Sequence, residues 1–366
     1  MGEYIKSVTV AAGGTANATL KGSCPYIFTW DGSKYVKDND VYSVARVQGT
    51  EGSPFAFSEA TAAKFGYADY YKIEKKLTEK DSRYSLMLKE VRDEVSHTDM
   101  VSLWVVDHQK GTQISCDLNG NIITYTNPKP AISVNPPYSP FSKGGDERDY
   151  PFAKSGKDIA GALATTNNKG WNAYNGDSID LTFSGLQGKD SAKLVFYWKG
   201  FVDGRGAEEN AQNPGRPSIK VYVQSTDNNW VEAGKVYPRQ EWAHSIVDLS
   251  GYLNSKDNLT VRLIATSCYR DKYSLLDFIG LDSSKDEKVT ITKLSPKKVV
   301  HSARGDVTKE IFSSDKQCVD MAPEEQMEIS FPCITQDKNT ERSFIFVSEG
   351  YYNSLSAGEV AVTLKP

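Results

Sequence analysis

The sequence has few histidines, no known catalytic motif and no long apolar run. None of its four histidines lies in an H-E-x-x-H motif, and the chain has neither a G-x-S-x-G motif nor a glycine-rich phosphate loop. No apolar stretch approaches the roughly 18 residues of a membrane-spanning helix. The net charge of −4 leaves no basic face for nucleic acid. We therefore expect a non-catalytic protein without a membrane-spanning segment and without a nucleic-acid partner.

The cysteines also lack a recognisable cluster. Five are present, with no CxxC motif and no Cys/His group, so a zinc site or haem attachment is disfavoured. Cys318 and Cys333 are candidates for a disulfide if their β-rich segment folds back on itself, and Cys24 with Cys116 is a second candidate bridge. Cys268 would then be left over. Spacing alone does not decide between these bridges and buried free thiols.

Almost no segment shows the apolar period of an α-helix. Short alternating runs such as SIDLTF, KLVFYW, SIKVYVQS and LTVRLIAT dominate instead, separated by Gly, Asn, Asp and Pro. With 20 Tyr and 28 Gly, the composition favours β-structure with many turns. The sequence predicts an all-β protein made of antiparallel β-sandwiches of the jelly-roll or immunoglobulin-like type.

One stretch, CPYIFTWDGSKYVKDND (24–40), combines aromatic and acidic residues. The dipeptide Asp31-Gly32 between two β-rich runs predicts a hairpin with a type I′ turn. Such a turn would place Phe28 opposite Tyr35, and aromatic cross-strand pairs stabilise hairpins. We interpret the stretch as scaffold. The alternative is a cation held by Asp38 and Asp40.

The chain divides into four parts by composition. Residues 1–127 form a β-rich region that closes with a second predicted hairpin, turning at Asn119-Gly120. Residues 128–150 contain five prolines and are expected to be a semi-rigid linker. Residues 151–285 have the strands of a full sandwich, and residues 286–366 form a C-terminal β domain.

An internal repeat relates the last two parts. Residues 157–183 align without gaps on residues 305–331, so that Leu163 matches Ile311 and Ile179 matches Met327. Farther along, KLVFYWKGF lines up with SFIFVSEGY after a two-residue slip. We expect the second copy to pack beside the central sandwich or beside the first region.

The runs CPYIFTWDGSKYVKDND, SRYSLMLKEV and HTDMVSLWVVDH resemble a β-rich module of large secreted and cell-surface proteins of bacteria and archaea. The run from SIDLTF through LTVRLIAT to LLDFIGLD resembles a galactose-binding-like jelly roll. This resemblance implies a non-catalytic module of a secreted or surface protein, extracellular in location. It implies no cofactor, although jelly rolls of this kind often hold a structural calcium through backbone carbonyls.

Two polar loops with aromatic residues are candidates for carbohydrate binding, because a flat ring can stack on the C–H face of a sugar. The first is NNKGWNAYNGD (167–177) and the second is SCYRDKY (267–273). The candidate residues are Trp171, Asn172, Tyr174, Asp177, Tyr269, Arg270 and Asp271. In the alternative interpretation Trp171 lies under its own loop as part of the core.

Two tripeptides fit the N-glycosylation sequon, at Asn17 and Asn258, and they matter only if the protein is exported. The sequence as a whole predicts a structural or adhesion module of a surface layer, a filament or a larger surface protein. Its expected partners are other surface-protein domains or further copies of itself. The alternative function is carbohydrate binding, with glycans as partners.

Overall fold

The structure is a computed structural model, and it describes residues 25–41, 46–47, 68–91, 94–135, 160–167, 170–203, 218–253, 257–266 and 272–354. Within these ranges the regular elements are β-strands and one short 3₁₀ helix, Ser250–Tyr252. The all-β fold predicted from the sequence is confirmed. No helix in the described ranges is long and apolar enough to cross a bilayer.

The strands before and after the central part of the chain form one sandwich, which we call the split sandwich. Its N-terminal strands are β1 (Tyr26–Trp30), β2 (Tyr35–Asp40), β3 (Arg46–Val47), β4 (Ala68–Lys72), β5 (Glu79–Lys80), β6 (Arg83–Lys89) and β7 (Glu94–Gln109). A hairpin follows, made of β8 (Gln113–Cys116) and β9 (Ile122–Tyr125). The C-terminal strands are β20 (Thr290–Leu294), β21 (Lys298–His301), β22 (Gly305–Asp306), β23 (Val319–Met321), β24 (Gln326–Pro332) and β25 (Thr340–Ser354).

The central strands form a second sandwich, the intact sandwich. They are β10 (Lys129–Pro130), β11 (Ser133–Val134), β12 (Trp171–Ala173), β13 (Ser178–Phe183), β14 (Lys193–Asp203), β15 (Ser218–Gln224), β16 (Trp230–Val236), β17 (Ala243–Asp248), β18 (Leu259–Thr266) and β19 (Lys272–Asp282). One sheet has the order β10-β19-β14-β17 with β12 also on β19, and the other has the order β11-β13-β18-β15-β16. Strict alternation of buried residues along β18 turns its apolar face toward the other sheet.

The sheets of the split sandwich cross the boundaries drawn from the sequence. One sheet has the order β2-β1-β6-β24-β21-β22, and the other has β20-β7-β25-β3, with β23 on β7 and β4 on β25. Residues 286–366 are therefore not a separate domain, because their strands complete the sheets begun before residue 127. The predicted linker, 128–150, contains β10 and β11, which pair with the intact sandwich.

The internal repeat is confirmed by the positions of its residues. The strands β12 and β13 of the first copy correspond to β23 and β24 of the second. Leu163 and Ile311 are both buried, and their carbonyl groups accept hydrogen bonds from Ile279 N (3.0 Å) and Val101 N (3.3 Å) on the equivalent strands β19 and β7. The second copy packs with the first region, which is one of the two arrangements expected.

The hairpin of β1 and β2 forms as predicted, but its register differs. Trp30 pairs with Tyr35 and Phe28 pairs with Lys37, so the loop has four residues rather than two. The carboxylate of Asp31 decides this, because it accepts hydrogen bonds from Ser33 N (2.8 Å) and Lys34 N (2.9 Å). The expected pairing of Phe28 with Tyr35 is wrong.

The hairpin of β8 and β9 also forms as predicted, and it lies between the two sandwiches. Ile114 packs with Val106 on the outer face of the sheet that contains β7. Tyr125 packs with Val195 and Ile246 on the outer face of the sheet that contains β14. Successive side chains of a strand point to opposite faces, so one short hairpin fills the space between two sheets.

Candidate binding site at the junction of the sandwiches

Only some of the residues predicted to bind carbohydrate lie at the surface. Trp171 is 2% exposed in β12, and its indole N–H has no acceptor among the described residues. The expectation that it lies in an exposed loop is wrong, and the alternative of a core residue is the one that its burial supports. Gly170 causes this placement, since a Cβ there would lie 1.6 Å from Leu276 O of β19.

The neighbours of Trp171 differ in exposure. Asp177 is fully buried, and its Oδ2 accepts a hydrogen bond from Tyr174 N at 3.0 Å, which closes the turn between β12 and β13. Asn172 and Tyr174 are partly buried, and the Tyr174 ring lies 5.0 Å from that of Tyr273. Residues Tyr269, Arg270 and Asp271 lie outside the described residues, so their part in the proposed site stays a prediction.

The candidate metal ligands of the first hairpin are used in other contacts. Asp38 accepts hydrogen bonds from Tyr71 Oη (2.7 Å) and Lys75 N (3.2 Å), and Asp40 accepts one from Gln240 N (2.8 Å). No group of three or more His, Cys, Asp or Glu side chains in the described ranges could hold a metal. A structural calcium bound by backbone carbonyls stays a prediction.

Neither candidate disulfide forms in the structure. Cys116 and Cys333 are thiols, which excludes both Cys24–Cys116 and Cys318–Cys333 as bridges here. The Sγ of Cys116 instead donates a hydrogen bond to Tyr70 O at 3.4 Å, and burial raises the pKa of this thiol to about 12. Such a thiol is a packing residue rather than a nucleophile.

The two sequons have different positions. Asn258 is exposed immediately before β18, so its amide is accessible to a glycosyltransferase. Asn17 lies outside the described residues. Glycosylation at either position stays a prediction.

The junction of the sandwiches holds charged groups that no sequence motif marks. Arg239, in the loop before β17, forms a bidentate ion pair with Asp69 of β4, with N–O distances of 2.8 and 2.6 Å. Its guanidinium also donates a hydrogen bond to Asp40 O (2.8 Å) and lies 4.7 Å from the centroid of the Tyr71 ring. The nearby carboxylates outweigh the effect of burial and raise the pKa of Arg239.

A second set of hydrogen bonds crosses the same junction. Glu74 accepts hydrogen bonds from His244 N (2.8 Å) and His244 Nδ1 (3.1 Å), and Lys72 lies 3.3 Å from its carboxylate. Burial raises the pKa of Glu74, but the bonds from His244 and the charge of Lys72 outweigh it and lower this pKa to about 2. The carboxylate is therefore charged at neutral pH.

Backbone contacts complete the junction. Asn39 Oδ1 accepts a hydrogen bond from Glu241 N (3.0 Å), and its Nδ2 donates one to Glu241 O (3.2 Å). Tyr26 Oη donates to Gln240 Oε1 at 2.5 Å. Side chains of the first hairpin thus bind the backbone and side chains of the loop before β17 over several successive residues.

Partly exposed aromatic rings lie at the edge of this junction, and we call them the junction platform: Tyr197, Trp242 and His244. The rings of Tyr197 and Trp242 are stacked, with centroids 5.1 Å apart and an interplanar angle of 15°. The His244 ring lies 4.8 Å from Tyr197, and Lys199 Nζ lies 5.2 Å from the centroid of Trp242. The platform thus combines partly exposed aromatic rings with a lysine and an imidazole.

A separate groove of about 710 Å³ lies on the split sandwich, beside the start of β25. Arg342 lines it, and forms a bidentate pair with Asp107 (2.7 and 2.7 Å) and a hydrogen bond to Tyr84 Oη (2.8 Å). Tyr84 also lines the groove, but it is 3% exposed and packs edge-to-face against Phe344. The charge of Arg342 is neutralised by Asp107.

The sequence matches no protein-family model and no curated protein. Among solved structures, the chain is similar to a carbohydrate-binding module specific for non-crystalline cellulose, CBM28, with 16% identity over 31% of this chain and 72% of that chain and a TM-score of 0.21. It is also similar to TmCBM61, solved in complex with β-1,4-galactotriose, with 12% identity over 31% of this chain and 68% of that chain and a TM-score of 0.19.

A third similar structure comes from work on the promiscuous specificity of carbohydrate-binding modules of the β-sandwich superfamily. Its identity is 9% over 58% of this chain and 97% of that chain, with a TM-score of 0.19. At such identities and TM-scores, these similarities do not indicate what this chain binds.

Proposed function

We propose that the chain is a non-catalytic structural module of an extracellular or cell-surface protein, in which two sandwiches are held in a fixed orientation. The observation that carries the proposal is the bidentate pair of Arg239 and Asp69 across the junction. Surface-protein domains and further copies of the chain are its proposed partners, in a surface layer, a filament or an adhesive protein.

The junction suits a mechanical role because its charges are largely buried and paired. The side chains of Arg239 and Asp69 are 11% and 7% exposed. Removing one partner of a buried pair leaves an uncompensated charge, which commonly costs about 3–5 kcal/mol. Together with the interposed hairpin of β8 and β9, these contacts oppose bending between the sandwiches.

The test is the shape of the Arg239→Ala variant in solution. We expect its small-angle scattering to show a larger radius of gyration and a longer maximum dimension than the wild type. Arg262→Ala is the matched control, because Arg262 forms a bidentate pair with Asp180 inside the intact sandwich alone (2.7 and 2.8 Å). An Arg239→Ala variant with unchanged scattering would contradict the rigid-module proposal. Antibody labelling of intact source cells tests the location, and labelling only after permeabilisation would contradict it.

Carbohydrate binding is the second candidate, and the junction platform favours it. A sugar can stack its C–H face on Trp242 or Tyr197 while Lys199 bonds to its hydroxyl groups. Trp171 is not part of this platform, because its ring is buried and offers no stacking face.

A glycan array with the wild type, Trp242→Ala and Trp230→Ala tests this second function. Trp230 is the control, because it is a partly exposed tryptophan on the edge strand β16 and contacts Arg262 (4.1 Å) rather than the junction. We expect Trp242→Ala to weaken binding of any glycan by about tenfold or more, while Trp230→Ala leaves it unchanged. No binding by the wild type would eliminate the candidate.

A further inference from the structure

The two sandwiches have the same arrangement of strands, but the chain begins and ends at different strands of that arrangement in each. In the intact sandwich, β10 and β12 both pair with one edge of β19, while β14 pairs with its other edge and with β17. In the split sandwich, β20 and β23 both pair with one edge of β7, while β25 pairs with its other edge and with β4.

The second sheets correspond in the same way. The neighbours β11-β13-β18-β15-β16 of the intact sandwich have the same order as β21-β24-β6-β1-β2 of the split sandwich. Taken in chain order, β10 to β14 correspond to β20, β21, β23, β24 and β25. The strands β15 to β19 correspond to β1, β2, β4, β6 and β7. The split sandwich is thus a circular permutation of the intact one.

Because of this permutation, the split sandwich consists of two halves from separate parts of the chain. Neither half has all the strands of a sandwich. The seam between them consists of β6 with β24 over seven residue pairs, from Gln326↔Lys89 to Pro332↔Arg83, of β7 with β20, β23 and β25, and of β25 with β3 and β4. Their side chains share one core, in which Leu88 and Leu103 of the first half pack with Met327 and Phe346 of the second. Each half alone would expose unpaired strand edges and half a core.

We propose that the split sandwich is a joint between copies, in which the C-terminal half of one copy completes the N-terminal half of another. The contacts of the seam are the same within one chain and between two chains, so only the connections through residues 126–128 and 283–289 distinguish the two forms. Reciprocal exchange between two copies closes a dimer, and exchange in one direction from copy to copy builds a filament. The proposal deepens the structural role proposed above, and its biological use rests on that role.

The first test uses wild-type chains of two isotopic compositions. They are unfolded, mixed and refolded together at high protein concentration, and native mass spectrometry then reads the products. We expect dimers of mixed mass after joint refolding, and none when the two folded preparations are only mixed. Absence of mixed-mass dimers after joint refolding would overturn the proposal. This result is independent of the junction, since the scattering of Arg239→Ala concerns the orientation of the sandwiches and not the exchange.

The second test locates the exchange at the seam by charge reversal. Asp107 on β7 and Arg342 on β25 form a bidentate pair that spans the two halves. Asp107→Arg places two arginines together within one chain, and Arg342→Glu places two acids together. A dimer that exchanges halves between these two variants restores opposite charges at both seams.

We expect joint refolding of Asp107→Arg with Arg342→Glu to give heterodimers in about tenfold excess over either homodimer, because like charges in contact are disfavoured. The matched control is Asp180→Arg with Arg262→Glu, whose pair lies within the contiguous intact sandwich, and we expect its heterodimers only in the statistical proportion, without a preference over the homodimers. Mixed-mass dimers of the wild type without a heterodimer preference at the Asp107–Arg342 pair would place the contact elsewhere and overturn the proposal.

Discussion

At the scale of single residues, two carboxylates near the junction have pKa values that are shifted in opposite directions. Burial raises the pKa of Asp38 to about 6, although Tyr71 Oη and Lys75 N donate hydrogen bonds to it. Glu74, partly buried near it, has a pKa lowered to about 2 because the hydrogen bonds from His244 and the charge of Lys72 outweigh burial. The direction of the pKa shift thus depends on the groups in contact with each carboxylate.

Asp38 therefore makes a specific contribution to the pH dependence of stability. Its pKa is higher in the folded chain than the ordinary 3.8, so the folded state binds the proton more tightly. The contribution is fully present below pH 3.8 and is lost as the pH rises through 6. We predict that the stability of the wild type relative to Asp38→Asn falls by up to roughly 3 kcal/mol between pH 4 and pH 7.

Urea unfolding of both proteins at several pH values measures this difference. The contribution of Glu74 has the opposite sign, since its lowered pKa gives stability that is lost as the pH falls from 4.5 toward 2. Both proteins share it, so it cancels from the comparison. Parallel stability curves across pH 4 to 7 would show that Asp38 keeps an ordinary pKa.

At the scale of elements, the hairpin of β8 and β9 connects the sandwiches without belonging to either sheet pair. Among the described strands it pairs only with itself, and its register runs from Gln113↔Tyr125 to Cys116↔Ile122. Gly120 at its turn has a φ of +80°, and Asp117 Oδ1 accepts hydrogen bonds from Asn119 N (2.8 Å) and Asn121 N (2.9 Å). The turn residues determine the hairpin locally, and its two apolar faces then pack against the two sheets.

The contribution of this hairpin is measured by Ile114→Ala. Ile114 is fully buried against Val106, Ile345 and Val347, so the substitution removes apolar contacts and leaves a cavity. We predict a loss of about 2–4 kcal/mol in the free energy of unfolding. Ile291→Ala is the matched control, because Ile291 is 40% exposed on β20 and its loss should change stability by less than about 0.5 kcal/mol. Equal effects of the two substitutions would mean that the hairpin adds nothing to stability.

At the scale of the whole molecule, one sandwich is inserted within another. The insertion is compatible with closure of the split sandwich because its first and last strands are neighbours: Lys129 pairs with Leu281 and Pro130 with Gly280. The chain therefore leaves the split sandwich and returns to it at nearly the same place. Lys193 Nζ holds the two ends of the insertion together, since it donates hydrogen bonds to Thr124 O (2.8 Å) and Ser284 O (2.9 Å) on either side of it.

The sequence by itself determined the local features of this protein. The alternation of apolar residues predicted the strands and the all-β class, turn residues predicted both hairpins, and the repeat marked matching strands in two places. These features depend on neighbours a few residues apart, whose side-chain period and turn chemistry are readable directly.

The tertiary structure alone decided which strands share a sheet, where the domains end and what lies in the junction. Arg239 and Asp69 are 170 residues apart, and no local pattern marks either as a partner of the other. Trp171 looks like a surface residue among asparagines, yet the approach of β19 buries it. Such outcomes depend on the pairing of distant edges and the fit of whole faces, because many pairings of alternating strands satisfy the same local pattern.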